Sequence, residues 1–379
     1  MLENLSTEPF SDLNRQDLNR QDISAITPES HPPESHLPKT YTPEPNASDL
    51  SKPPTVRSED PTKTRPLYFL CVNYHSAALV SDLMHTLEDN QGIVIVNNSP
   101  ADQAIHALQS RTFGGGQVTV IDAPNNGGFG AGCNLGLQWI YARSPQAIIW
   151  VINPDASIVS GAIAQVRRYL SNDPDIAILG TPVLDSKDNL WFGSGRFNRW
   201  TGSVTSHLAA QPLKQAKRAQ AAGQAIPTRW VTGCSIIFNL ALLEHCPQFD
   251  ETYFLYYEDC DLCERYFQQG YAIALLPMPL VVHAVSSITG RYVQAKFVHG
   301  TFSKLMFLRR HATPLALGLN LLYLSARAVS ETFSHPLTAK GRWQGIWQFL
   351  QKPNRRPYVS ALDPKYYPSQ NRTDASAQR

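Results

Sequence analysis

Four short apolar runs recur in the first half of the chain, about 25 residues apart, and each closes on asparagine or aspartate. The first is Leu67-Tyr-Phe-Leu-Cys-Val-Asn73, bounded by Pro66 and His75-Ser76. The second is Gly92-Ile-Val-Ile-Val-Asn97, followed by Asn98-Ser99-Pro100. Gln117-Val-Thr-Val-Ile-Asp122 is the third, and Ala147-Ile-Ile-Trp-Val-Ile152 the fourth, ending in Asn153-Pro-Asp155. Runs this short and this continuously apolar read as strands buried on both faces. Helical spacing fills the intervals over 77–87, 101–109 and around 130–142. Strand and helix in alternation give an α/β fold with a mainly parallel central sheet and flanking helices. Ligands of such sheets bind beyond the carboxyl ends of the strands. Asn73, Asn97, Asn98, Asp122, Asn153 and Asp155 fall at those ends.

The rest of the chain is less regular. Residues 181–230 read as a loop-rich region covering a cleft. Glu258 to Gln269 has helix character with Gly270 as its stop. Strands are expected over Ala272 to Leu276 and Pro279 to His283, and helix from Lys296 to Val329. Residues 1–64 hold ten of the 28 prolines and only two aromatics, Phe10 and Tyr41. Such text cannot bury enough apolar surface to order itself, so it reads as a disordered tail. The expected divisions are 1–64, a catalytic domain over 65–311, a helical extension over 312–349 and a loose tail over 350–379. The 33 basic and 31 acidic residues exclude a nucleic-acid binder driven by bulk charge. Six irregularly spaced cysteines read as reduced thiols, with no zinc site completed around Cys260 and Cys263. With neither a signal peptide nor a run of about 18 apolar residues, a cytoplasmic protein is expected.

Three motifs carry chemistry. Asn126-Gly-Gly-Phe-Gly-Ala-Gly-Cys-Asn-Leu-Gly136 joins the third strand to a helix, and its glycines let backbone approach a bound group. It lacks the spacing and the position of a dinucleotide fingerprint. Asn153-Pro-Asp155 places a carboxylate where a divalent cation could hold a diphosphate, although the same tripeptide also makes an ordinary turn. Glu258, Asp259 and Asp261 follow the aromatic run Tyr253-Phe-Leu-Tyr-Tyr257, and acids beside apolar walls acquire raised pKa values. His283 closes a strand and, alone, reads as a satisfied structural histidine.

Together these residues make a recognisable series. Asn-Tyr-x-Ser after strand one, Asn-Asn-Ser after strand two, N-x-G-F-G-x-G-x-N-x-G, N-P-D, W-V-x-G over Trp230 to Gly233, E-D-x-D-L-C-x-R and a later V-V-H follow in order. This series resembles the family 2 glycosyltransferases over about residues 65 to 311. Bacterial rhamnosyltransferases and related cell-surface glycan transferases are the most similar branch. The resemblance implies a GT-A fold, a nucleoside-diphosphate sugar donor and a divalent cation, magnesium or manganese. It implies metal ligation by Asp155 with His283, and a catalytic base at Asp259. Asn73, Asn97, Asn126, Asn153 and Asp155 would line the donor. Trp230 and Glu258 would lie on the acceptor side. Asparagine at 97 departs from the usual aspartate. The implied activity is inverting transfer of a sugar, rhamnose among the candidates, to a hydroxyl of a cell-surface glycan or lipid-linked saccharide. The alternative is an inactive nucleotide-sugar-binding or assembly subunit of the same fold.

Two further expectations come from helix geometry and charge. Asp259 and Asp261 stand about 200° apart on a helix, so only one can face the cleft. Asp261 is expected to pair with a basic group instead. Lys296, Lys304, Arg309, Arg310 and Arg327 accompany the apolar text from Leu315 to Leu324. That pattern suits peripheral contact with a membrane surface, or else a helix packed on the catalytic domain.

Overall fold

The computed structural model describes residues 65–87, 91–109, 116–206, 218–284 and 293–352. The expected tail at 1–64 and all but the first residues of that at 350–379 lie outside this set. The first half runs β1 (Leu67–Asn73), α1 (Ala77–Met84), β2 (Gly92–Asn97), β3 (Val118–Asp122), α2 (Phe129–Tyr141) and β4 (Ile148–Ile152). Then come β5 (Ala156–Ile158), α3 (Ala162–Asn172), β6 (Ile176–Gly180), β7 (Val183–Asp185), β8 (Leu190–Phe192), β9 (Arg196–Asn198) and β10 (Ser203–Thr205). They are followed by β11 (Ile226–Pro227), β12 (Ser235–Asn239), α4 (Glu258–Gln268), β13 (Ala272–Leu275) and β14 (Val281–His283). Three helices end the described chain: α5 (Val293–His311), α6 (Pro314–Ser330) and α7 (Pro336–Gln351).

The main sheet has eight strands in the order β11-β13-β6-β12-β4-β1-β2-β3. Strands β4, β1, β2 and β3 pair in parallel, as the alternation of runs and helices predicts. β12 lies between β4 and β6 and runs antiparallel to both. Burial of all five residues in β4, β6 and β12 explains why these runs show no polar alternation. Helix α2 lies close against the sheet because Gly136 carries no side chain. A Cβ there would sit 2.1 Å from Leu70 Cδ1.

Two expectations change in detail. The helix expected over 101–109 is a shorter 3-10 helix, Gln103–Leu108, capped by Asp102 accepting from the Ala104 N–H. The stretch after Asp155, which reads as irregular, holds a full helix and a buried strand, α3 and β6. A second sheet, β5-β14-β7-β8, stands beside the end of β4 and carries His283 into the same region. Within the loop-rich stretch, β9 and β10 form a hairpin.

Candidate active site

A cavity of about 610 Å³ opens at the carboxyl ends of the central strands. Its floor includes the turn after β4. Antiparallel pairing of β14 with β5 sets His283 against Ala156, and so beside Asp155. His283 Nε2 lies 3.0 Å from Asp155 Oδ1, and both side chains are buried. The second ring nitrogen, Nδ1, has no hydrogen-bond partner, and the ring packs against Trp191 with centroids 4.6 Å apart. A carboxylate and a buried imidazole with an unused nitrogen fit a magnesium- or manganese-type cation. Among the described residues no group of three or more His, Cys, Asp or Glu side chains gathers as a metal cage. The pair therefore suits a cation that takes its other ligands from a diphosphate and water.

The opposing chemistry comes from the start of α4. Tyr256 and Tyr257 adopt φ of 69° and 66°, consecutive left-handed conformations without glycine. Each costs about 1–3 kcal/mol and is kept only where the surroundings enforce it. This kink turns Glu258 and Asp259 onto the cavity wall. Asp259 Oδ2 accepts from the Gly233 N–H at 2.8 Å, and Oδ1 from the Cys260 N–H at 2.7 Å. Burial raises the Asp259 pKa, and those two N–H groups oppose it. Burial also raises Glu258, well above the ordinary carboxylate value, with the Asp259 charge adding to it. Glu258 Oε2 has no hydrogen-bond partner. Of the two, only Asp259 accepts backbone N–H groups that favour the ionised form, while the push toward the protonated form is stronger on Glu258.

Asp261 points the other way. Arg265 Nε donates to it at 2.8 Å, His311 Nε2 lies at 2.8 Å, Arg310 Nη1 at 3.3 Å, and the Tyr253 hydroxyl at 3.2 Å. Burial alone would raise its pKa. Arg265, His311 and Arg310 outweigh burial and hold the carboxyl well below the usual carboxylate range. The expected pairing of Asp261 with basic groups is thus a link between α4 and α5.

The glycine-rich loop forms a third wall. Gly128 has φ of 92°, and a Cβ there would meet the Phe254 carbonyl oxygen at 2.1 Å. Asn126 Oδ1 accepts from the Gly128 N–H at 3.1 Å, and Asn98 Nδ2 donates to the Gly128 carbonyl at 2.8 Å. Asn126, Asn153, Asp155, Trp230, Glu258, Asp259 and His283 all reach the cavity. Asn73 and Asn97 do not line it. Asn73 Nδ2 donates to Asn97 Oδ1 at 3.0 Å, and Asn97 Nδ2 to Asp122 Oδ1 at 2.9 Å. Their amides are engaged in holding the ends of β1, β2 and β3 together, and Asn98 takes the place on the wall. Sequence reasoning also missed Trp191, Lys296 and His299. The last two come from α5, far along the chain, with no local motif to mark them.

Asn98 Oδ1, Trp230 Nε1, Glu258 Oε2 and His283 Nδ1 are buried without a hydrogen-bond partner, and all four residues line this cavity. Buried polar atoms are rarely left so, and their convergence marks a place where a polar ligand completes them.

A sequence model of the family described as "Glycosyltransferase like family 2" matches residues 66–298. The chain belongs to glycosyltransferase-like family 2. Its sheet is the core of a GT-A fold, and the protein is a glycosyltransferase. Among characterised relatives it is similar to the N-acetylglucosaminyl-diphospho-decaprenol L-rhamnosyltransferase of Mycobacterium tuberculosis. That enzyme, from strains CDC 1551 / Oshkosh and H37Rv, is 25% identical over 243 residues, 57% of this chain and 74% of the relative. Among solved structures, S. aureus TarS 1–349 in complex with UDP aligns at 14% identity and a TM-score of 0.39, covering 75% of this chain and 89% of that one.

Proposed function

We propose that this glycosyltransferase moves a sugar from a nucleoside diphosphate to a saccharide hydroxyl by a single inverting displacement. The observation that carries the reading is Asp259: a half-buried carboxylate whose two oxygens accept from the Gly233 and Cys260 N–H groups, in the same cavity as Asp155 and His283. The bond between the anomeric carbon and the diphosphate oxygen breaks as the acceptor oxygen attacks. Asp259 takes the acceptor's proton, and the leaving group departs with the electron pair. Asp155 and His283 would hold a divalent cation, which supplies Lewis-acid neutralisation of the diphosphate charge. Asn126 and Asn153 face the donor, while Asn73 and Asn97 brace the strand ends behind it. Trp230, whose ring packs on Phe192, offers an N–H donor to the acceptor, and Glu258 an O–H donor when it carries a proton.

Similarity to the mycobacterial rhamnosyltransferase supports a rhamnosyl donor and a lipid-linked or cell-surface saccharide acceptor. Six buried free cysteines fit the reducing cytoplasm, where the enzyme would work. The test is a screen of nucleoside-diphosphate sugars, rhamnose donors among them, for release of nucleoside diphosphate. Release should need magnesium or manganese and fall strongly in Asp155→Ala. Full activity in excess chelator would remove the cation from the reading. Failure of every nucleoside diphosphate to raise the melting temperature, with no turnover, would sink the transfer reading itself.

A further inference from the structure

The C-terminal helices bury one face and leave the other bare. α6 packs inward through Ala316, Leu324 and Ala328. Its outward positions Leu315, Leu319 and Leu322 are 72%, 57% and 67% exposed, and no exposed residue of α6 is charged. The spacing i, i+4, i+7 makes them one stripe. Phe333 in the next turn is 96% exposed, and Trp343 and Trp347 extend the surface onto α7. Exposed large apolar side chains gathered on two helices in contact mark a binding face.

Charge decides what covers it. Residues 293–352 hold eight lysines and arginines and one acid, Glu331, whereas the rest of the chain holds 25 basic and 30 acidic residues. Arg310 turns inward to Asp250 and Asp261, and Arg327 and Arg342 share Glu331. Lys340 and Lys352 stay exposed. A second copy of the chain would set one basic helical unit against another. An apolar stripe with tryptophans and surrounding cations matches an anionic bilayer, whose interface accepts aromatic rings and whose headgroups attract lysine and arginine. Among the described residues no helix is long and apolar enough to cross a membrane.

We propose that the exposed face of α6 and α7 docks on an anionic lipid surface, with Leu315, Leu319, Leu322 and Trp347 entering its interface. The docked face lies one helix from the cavity. Gly341 and Gly345 let α7 lie directly on α5, where a Cβ would sit 2.6 Å from the Gln294 and Val298 carbonyl oxygens respectively. Lys296 and His299, on that same stretch of α5, line the cavity. Docking therefore holds the cavity near lipid headgroups. The inference does not depend on which sugar is moved.

The test uses the full chain and co-sedimentation with vesicles of phosphatidylcholine, alone or mixed with phosphatidylglycerol. The protein should bind the mixed vesicles, less so at high salt. Leu319→Glu with Leu322→Glu, and separately Trp347→Glu, should weaken binding at least about tenfold, with melting temperature and nucleotide release unchanged. Absence of binding at low salt, or variants that bind like wild type, would overturn the proposal. So would a dimer, seen by light scattering, that these variants dissociate in a protein indifferent to vesicles. Vesicle binding by a chain that turns over no donor would sustain the docking and count only against the transfer reading.

Discussion

Asp259 and Asp261 stand two positions apart on α4 and meet opposite electrostatic conditions. Replacing Asp259 by Asn keeps its shape and removes the proton acceptor. Transfer should then fall by roughly 10²-fold or more while nucleotide binding stays near normal. Wild-type turnover in that variant would end the assignment. Asp261→Ala instead leaves Arg265 buried without its carboxylate, and should cost roughly 3–5 kcal/mol in denaturant unfolding. Their pH signs differ as well. A carboxyl with a raised folded pKa, as in Glu258 and Asp259, contributes stability below its unfolded value and loses it as pH rises through the folded value. Asp261, depressed, contributes stability above its unfolded value and loses it as pH falls below about 4. On acidification the pH–rate profile should therefore drop first, as Asp259 gains its proton, and near-UV circular dichroism should be lost only later. Helix arithmetic separates these two acids from sequence alone. What it does not give is the identity of Asp261's partners, because Arg310 and His311 arrive from α5, some fifty positions on.

At the scale of elements, the tie between the glycine-rich loop and the aromatic turn is the most exposed to test. The Phe129 N–H donates to the Phe254 carbonyl at 3.1 Å, so the start of α2 and the approach to α4 move together. Gly128→Ala adds a Cβ against that carbonyl in a left-handed conformation. It should destabilise the fold by about 1–3 kcal/mol and weaken nucleotide binding in a titration. An unchanged melting temperature and affinity would show that the loop yields freely. The parallel strands are legible because each is a continuous apolar run closed by a polar residue. α3 and β6 are harder to read although Ile163, Val166 and Leu170 keep a helical period and Ile176 to Gly180 is apolar. The surrounding text offers no motif to anchor them. The antiparallel insertion of β12 is illegible locally, since its direction depends on which distant strands flank it.

For the whole molecule, α5 is the shared element. One end lines the cavity, the other holds Asp261 through Arg310 and His311, and α7 lies along it. Gly345→Val would press into the Val298 carbonyl and Thr301, so α7 must lift away. Overpacking of this kind costs typically about 1–3 kcal/mol. A lowered melting temperature with reduced turnover, from a site that contains no substituted residue, is the expected pair of readouts. Of the two sequence readings of the C-terminal helices, packing on the domain accounts for their inner faces, and their outer faces expose apolar side chains. Amphipathic spacing cannot say which face meets protein when both are apolar.

The place of β12 has a consequence for how the chain is made. Strands β1 to β4 emerge from the ribosome together and can pair at once, but β4 must wait for β12 to cover its other side. At ordinary elongation rates that wait is roughly 4–17 s. During it, Ile149, Trp150 and Val151 present an open apolar edge, the kind that recruits other chains or a chaperone. The later strand β6 does not close the gap, because its places in the sheet are beside β12 and β13, both made later still. Synthesis of this protein should thus be most vulnerable to aggregation in nascent chains that stop between residues 153 and 235.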